Sequence, residues 1–480
     1  STQYGSTNWD SIAGIDQIVY GDPSSFGAKG PNRDGSAGLD ILGNGGRGAG
    51  DEGLNYFGFN GAVSWATWGG TSRSAPVVAG NLALLYQAYK DRYGEWPTWD
   101  KVIAMTKSAA TNSVSSPFLQ GAGVVNADRM TDLAAGIYGV YSLPDEWQVG
   151  DWEGVDYLNF AHVAWPNTTY TKTFTIENPS GYNITVDLSD GVMTRIGSQE
   201  YTFTTSDISQ ESGFNFHAPD YLMQLPSEII PSDAEVMIVR YVHPYDEYDP
   251  LRYYADPGVS NSWLSSWRFM VYNWKDMNGD GKLWDDLNGN GAVNHANSTE
   301  IDNDGFARVD YANSEIQEGE YIRMDYEFGG LGIPIFIHNP LERMQDGYFF
   351  GFQHRRVSAQ VPTTTFKIGV EFYKRADWPW ISLNANKLTI PAEGSATFVA
   401  TAAIPANALH GVYEGVIFMH DPGTYWHDAH ESAIPVVVNV IDTLHDSGLT
   451  FGSRPMEDGM YQNGYTNGYF NWYGGGWTGA

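Results

Sequence analysis

Near Tyr138 the grain of the sequence changes, and that change fixes the class of fold open to the chain. Upstream, Ala75, Val78, Ala79, Leu82 and Leu85 recur at spacings of three and four and predict a helix from about Ser72 to Tyr93. Gly80 and Ala83 on that helix would let a neighbouring backbone come close, as on a central buried helix. Two more helices are expected, over about Thr98–Ala110 and Ala127–Ala135, the latter ended by Gly136. Residues 1–137 therefore read as α/β. Downstream, apolar residues alternate. TKTFTIENPSGYNITVDL (171–188) reads as strand, Asn-Pro-Ser-Gly turn and strand, the pattern of a hairpin. Further strands are expected near 234–243, 266–274, 320–328, 333–338, 347–353 and 363–373.

The alternation returns in 388–420 and 434–441 with Pro- and Gly-bearing turns, which predicts a second, smaller sandwich of the fibronectin-III or immunoglobulin kind. A chain of 480 residues is too long for one core, and at about 150 residues per domain it should hold roughly three. The expected division is 1–137; a β-sandwich over 138–380 with an acidic insertion at 276–305; a smaller sandwich over 381–445; and 446–480. The last stretch has Asn-Gly pairs at 463–464 and 467–468 between aromatics, which read as turns of a further β-domain or as a sticky tail.

With 57 acidic against 26 basic residues the formal charge is −31, a surface that repels nucleic acid and attracts cations. No apolar run approaches the roughly 20 residues of a membrane-spanning helix. The sequence has no cysteine, so disulfides and thiolate chemistry are excluded. Sequons at Asn167, Asn183 and Asn297 are candidate glycosylation sites. Together with the acidic loops described below, they lean the expected location outside the cell.

GGTSRSAPVVAG (69–80) is the kind of loop on which a nucleophilic serine sits. Gly69 and Gly70 permit tight backbone geometry, and Ser72 would stand at a helix N-terminus, where unpaired N–H groups favour negative charge. Pro76 is expected in the first turn, where a missing N–H costs little. On spacing alone, a simple N-cap explains Ser72 equally well.

The wider pattern resembles the subtilisin-like serine proteases. GTSRSAP is similar to that family's serine motif, Gly-Thr-Ser followed by a variable residue, two small residues and Pro. SFGAKGPNRDGSAGLDILGNGG (25–46) is similar to the stretch that precedes the motif, and QGAGVVNADRM (120–130) to the Gly-X-Gly segment that opens the last helix of the domain. The resemblance is to large extracellular members of the pyrolysin-like kind, firm over 1–137 and loose over 138–442. It implies the C-terminal part of an α/β catalytic domain followed by all-β sandwich domains, with Ser72 as nucleophile and its backbone N–H as one oxyanion donor. Arg73, where Met or a small residue is usual, and Asn44, where Pro is usual, depart from the pattern.

In this family the triad order is Asp, His, Ser. The first histidine here is His162, and STQYGSTNWDS (1–11) resembles the segment after the oxyanion Asn, so the chain is expected to begin downstream of the catalytic Asp and His. Loss of Ser or His alone costs subtilisin about 10⁶-fold in turnover, so the chain by itself should be nearly inert. The expected partners are a peptide substrate and the upstream part of the same protease, on the same chain or as a bound nicked fragment. The rival expectation is a non-catalytic component of a cell-surface layer or filament that reuses the fold, with self-assembly partners.

DMNGDGKLWDDLNGNGAVNHANSTEIDNDG (276–305) carries three units: Asp276/Asn278/Asp280, Asp286/Asn288/Asn290 and Asp302/Asp304. Alternate oxygen side chains ending in Gly suit Ca²⁺. A bidentate Glu at the twelfth position is missing, with Leu287 and Asn297 in its place, so an EF-hand is not expected. The segment also reads as solvated turns, but closely spaced carboxylates favour a counter-ion. No organic cofactor is expected. His420, His427 and His430 admit zinc on paper but read better as a polar loop between strands.

Overall fold

The computed structural model describes residues 30–31, 36–45, 48–51, 65–68, 71–113, 116–152, 162–204, 221–242, 266–274, 320–328, 335–344, 347–354, 365–409 and 411–440. The helices fall where apolar periodicity places them: α1 (Thr71–Tyr93), α2 (Trp99–Ser108), the one-turn α3 (Pro117–Gln120) and α4 (Ala127–Ala134). Gly136, at φ +67, follows the end of α4. One apolar cluster joins Leu85 and Tyr89 of α1, Val102 and Met105 of α2, and Met130 and Leu133 of α4 to Tyr141.

The burial of α1 differs from expectation. Ala75, Ala79, Gly80 and Ala83 are exposed, Val78 and Leu82 half-buried, and only Ser74, Leu85 and Tyr89 fully buried. A Cβ placed on Gly80 would meet nothing within 4 Å. The helix is anchored through its second half, where Leu85 and Tyr89, four residues apart, face α2 and α4.

The chain divides into two compact units. Among the described residues the first holds 30–194 and 375–440, and the second holds 195–374. The expected separate sandwich over 381–445 is not formed. Gly394–Ala403 pairs along its whole length with Thr169–Asn178, from Gly394↔Asn178 to Ala403↔Thr169. Lys387–Ile390 pairs with Ile184–Asp187, and Gly411–Asp421 with part of the same strand. Strand His430–Val440 runs antiparallel to Gly411–Asp421 and parallel to Trp147–Val149. The physical reason is core size: some 65 residues bury little apolar surface alone, so they complete sheets begun near residue 141.

In the first unit, one sheet has the order Ile381–Leu383, Gly394–Ala403, Thr169–Asn178, Tyr141–Leu143. A second sheet holds Gly411–Asp421 and His430–Val440. A common core lies between them, with Phe174 and Phe398 stacked at 5.0 Å, beside Val186, Ile417, Ile434, Val436 and Val438.

The strands on either side of Asn-Pro-Ser-Gly are therefore not a hairpin. Thr169–Asn178 and Ile184–Thr204 lie in different sheets, and the turn carries the chain across. Asn178, 2% exposed, holds this corner. Its Nδ2 donates to the carbonyls of Tyr182 (2.6 Å), Pro391 (3.1 Å) and Ile390 (3.3 Å). Its Oδ1 accepts from the N–H and hydroxyl of Ser180, at 3.0 and 2.7 Å.

In the second unit, the antiparallel order is Glu320–Phe328, Ser266–Trp274, Gly347–His354, Tyr221–Leu225. Val236–Val242 pairs there with Ile335–His338 on one side and with 367–373 on the other. Leu225, Val271, Tyr348 and Phe350 pack against Met237, Val239, Ile337 and Val370 in one core. The expected strands of this region are found at their sequence positions. The acidic segment 276–305 and the tail 446–480 lie outside the described residues.

Removing the corner amide leaves several buried groups without a partner. Asn178→Ala is expected to destabilise the first unit by about 2–3 kcal/mol, read as a lower thermal midpoint, whereas an ordinary exposed turn residue would change it little.

Candidate active site

Ser72 stands in the first turn of α1 and is exposed. No acidic residue occupies that turn, so the partial positive charge of the helix start is left uncompensated by a local carboxylate. Pro76 is not in the first turn as expected. With the helix starting at Thr71, it is one turn further in, at the position whose N–H would otherwise bond the Ser72 carbonyl. Arg73 reaches back, its guanidinium 3.5 Å from Oδ1 of Asn44. The two departures from the family pattern thus contact each other.

The three motifs converge. Leu42 donates its N–H to the Gly123 carbonyl (2.7 Å) and accepts from Val125 (2.8 Å), while Thr111 exchanges both backbone bonds with Val124 at 2.8 Å. Ala122 donates to the Asp40 carbonyl at 3.0 Å. Gly121 (φ +61) and Gly123 (φ +128) adopt the left-handed region, and a Cβ would stand 2.5 Å from the Asp40 carbonyl oxygen and 2.3 Å from that of Thr111. Gly43 lies against α1, where a Cβ would come within 2.7 Å of both Ser74 Oγ and Val78 Cγ2. Asn126 caps α4, its side chain accepting from the Arg129 N–H at 3.1 Å. Segment 39–43 therefore connects the Gly-X-Gly turn to the second residue beyond Ser72.

Residues 1–123 match the subtilase family. Over that segment, about a quarter of the chain, the sequence is similar to the subtilases. Among solved structures, the chain is similar to tripeptidyl peptidase 2, at 11% identity and a TM-score of 0.17, over 83% of this chain and 36% of that one. The chain thus spans about a third of the length of that protein. No curated protein matches the chain.

Lys107 and Asp40 of the matched segment join Asp145 and Glu146 in an ion cluster that the sequence does not announce. Lys107, on the buried face of α2, lies 2.9 Å from Asp145, 3.4 Å from Glu146 and 3.6 Å from Asp40. Glu146 also accepts the Ala37 N–H at 3.1 Å. Burial alone would lower the Lys107 pKa, but Glu146, Asp145 and Asp40 outweigh it and hold it above the usual 10.5. The only sequence signal was a lysine among the apolar residues of α2.

The strands Gly411–Asp421 and His430–Val440 hold the segment from the other side. The Ser108 carbonyl, at the end of α2, accepts from Ser432 Oγ and from His430 Nε2, each at 2.7 Å. Ser116 Oγ donates to Glu414, Asn112 Nδ2 to Glu431 at 2.8 Å, and Arg129 to the Ala429 carbonyl at 2.9 Å.

The three clustered histidines have separate settings: His430 bonds Ser108, His427 stacks on Tyr138 at 4.3 Å, and His420 is exposed on its strand. Among the described residues no group of three His, Cys, Asp or Glu is placed to hold a metal ion. The candidate calcium residues Asp276, Asn278, Asp280, Asp286, Asn288, Asn290, Asp302 and Asp304 lie outside the described residues, as does Asn297. Asn167 and Asn183 are both exposed, Asn183 using Oδ1 to accept the Ala392 N–H at 2.9 Å.

Burial pushes the His430 pKa below the usual 6.5, against the opposing pull of the Ser108 carbonyl. A depressed folded value means that the contribution to stability is complete above about 6.5 and is lost as pH falls below it. The thermal midpoint of the wild type is therefore expected to drop more between pH 7.5 and 5 than that of His430→Gln, whose amide can still donate to Ser108. Parallel pH profiles for the two proteins would remove this role.

Proposed function

We propose that Ser72 is the nucleophile of a secreted or cell-surface subtilisin-like serine endopeptidase. The observation that carries this reading is the convergence of the three motifs on an exposed serine in the first turn of α1, within a segment that matches the subtilase family. In this reading Ser72 Oγ attacks a peptide carbonyl and its proton passes to a histidine base. The oxyanion gains from the N–H groups of the α1 start, and water then releases the acyl group. Residues 1–71 contain no histidine, so the base is supplied by an upstream part of the same protease.

Calcium binding at 276–305 belongs to the same proposal, supported by the alternating Asp/Asn pattern. Glycosylation at the three sequons goes with an extracellular location.

A fluorophosphonate probe, applied to the native protein with its upstream segment and with calcium, is expected to label Ser72. Ser72→Ala should abolish that label and lower peptide hydrolysis by about 10⁶-fold. Native protein that stays unlabelled would sink the enzyme reading in favour of a non-catalytic surface component. Removing calcium with a chelator should lower the thermal midpoint, and an unchanged midpoint would count against the metal.

A further inference from the structure

A cavity of about 320 Å³ opens beside α4, between it and the loop that joins Gly411–Asp421 to His430–Val440. Leu133, Val140 and Met419 give it an apolar wall, and Trp426 lies at its edge, 82% exposed. Carboxylates of Asp128 and Asp132, one turn apart on α4, and of Asp421 line it.

None of these carboxylates is in an ion pair among the described residues. Asp421 is 6% exposed; Oδ1 accepts from the Tyr138 hydroxyl at 3.0 Å and the Gly423 N–H at 2.9 Å, while Oδ2 makes no hydrogen bond among the described residues. The side chains of Asp128 and Asp132 form neither an ion pair nor a hydrogen bond among the described residues. The adjacent cation, Arg129, is drawn to the backbone carbonyls of Asp428 and Ala429, at 3.5 and 2.9 Å. Asp428 adds a fourth acid to the lining. Burial, and then repulsion from Asp128, raises the Asp132 pKa against the opposing pull of His427 and Arg129.

Two donors on the wall are already committed: Ser432 Oγ and His430 Nε2 both point to the Ser108 carbonyl. An anion entering the cavity would meet the carboxylates of Asp128, Asp132, Asp421 and Asp428. No three acids or histidines here are close enough to share a metal ion. Carboxylates spread around an apolar wall, with an indole at the edge, suit an extended planar cation on an aliphatic stem. Tyr425, 89% exposed and packed edge-on against Trp426 at 4.7 Å, extends the aromatic surface beyond the cavity, where flanking residues of a peptide would lie. We infer that this cavity binds the guanidinium of an arginine side chain presented by a polypeptide. The inference does not depend on catalysis at Ser72.

The test is isothermal titration of the whole chain with three probes: a hexapeptide containing one arginine, the same peptide with citrulline, and N-acetyl-arginine amide. Citrulline keeps the shape and removes the charge. The arginine peptide is expected to bind at least about tenfold more tightly than either of the others, and Asp132→Asn to weaken it about tenfold, one decade of affinity. Because Asp132→Asn also relieves repulsion from Asp128, its thermal midpoint should hold or rise, separating lost binding from lost folding. Equal binding of the arginine and citrulline peptides, or wild-type affinity in Asp132→Asn, would overturn the inference. Affinity of the amide equal to that of the peptide would overturn its polypeptide part. Asp421→Asn, which still accepts from Tyr138, is the second variant and should also bind more weakly; wild-type affinity there would likewise overturn the inference.

Discussion

The end of α2 imposes the constraint on which the first unit depends. A helix leaves its last carbonyls without intrahelical donors, and burying them unpaired costs on the order of 1–3 kcal/mol each. Ser108, 4% exposed, is such a residue, and its carbonyl is met by two side-chain donors more than 300 positions away, His430 and Ser432. The same pair of strands receives the Ser116 hydroxyl at Glu414. The helices up to residue 123 and the strands of 375–440 are therefore completed by each other, and burial of α2 between α1, α4 and the strands carries that dependence towards the serine helix.

Within the segment, glycine is used where backbone meets backbone. Gly121 and Gly123 admit segment 39–42 and Thr111 at distances no Cβ tolerates, and Gly43 admits the second turn of α1. Placed between these, segment 39–43 receives its position from one motif and transmits it to another. Lys107 adds an electrostatic tie to the same segment through Asp40, with Asp145 and Glu146 completing its neutralisation. Breaking such a buried cluster by removing the lysine would leave carboxylates without their counter-charge, which is more costly than never having built it.

Much of this was legible in the sequence at the level of single elements. Periodicity located α1, α2, α4 and the strands, because the pattern of apolar residues is local. Pairing was not legible, because the partner of Thr169–Asn178 is Gly394–Ala403 and nothing local distinguishes that partner from a neighbour. Asn-Pro-Ser-Gly signals a turn but not whether the next strand joins the same sheet; that was decided by the amide of Asn178, which serves Tyr182, Ile390 and Pro391 at once. At the site, Ser72 and the Gly-X-Gly turn stood out as motif residues. Lys107, Ser108 and the His430 contact did not, since each acquires its role only from a distant strand. The exposed start of α1 was misread for a related reason: small apolar residues permit close packing without requiring it.

Mutual completion of helices and strands can be read directly by hydrogen exchange under native conditions. If the segment ending at residue 123 and the strands of 375–440 form one cooperative unit, the amides of Met105–Ala110 and those of Val436–Val438 should open with the same free energy, and Ser432→Ala should lower both together. Helix amides that exchange at a much lower free energy than those strand amides, with Ser432→Ala affecting only one set, would contradict the mutual dependence.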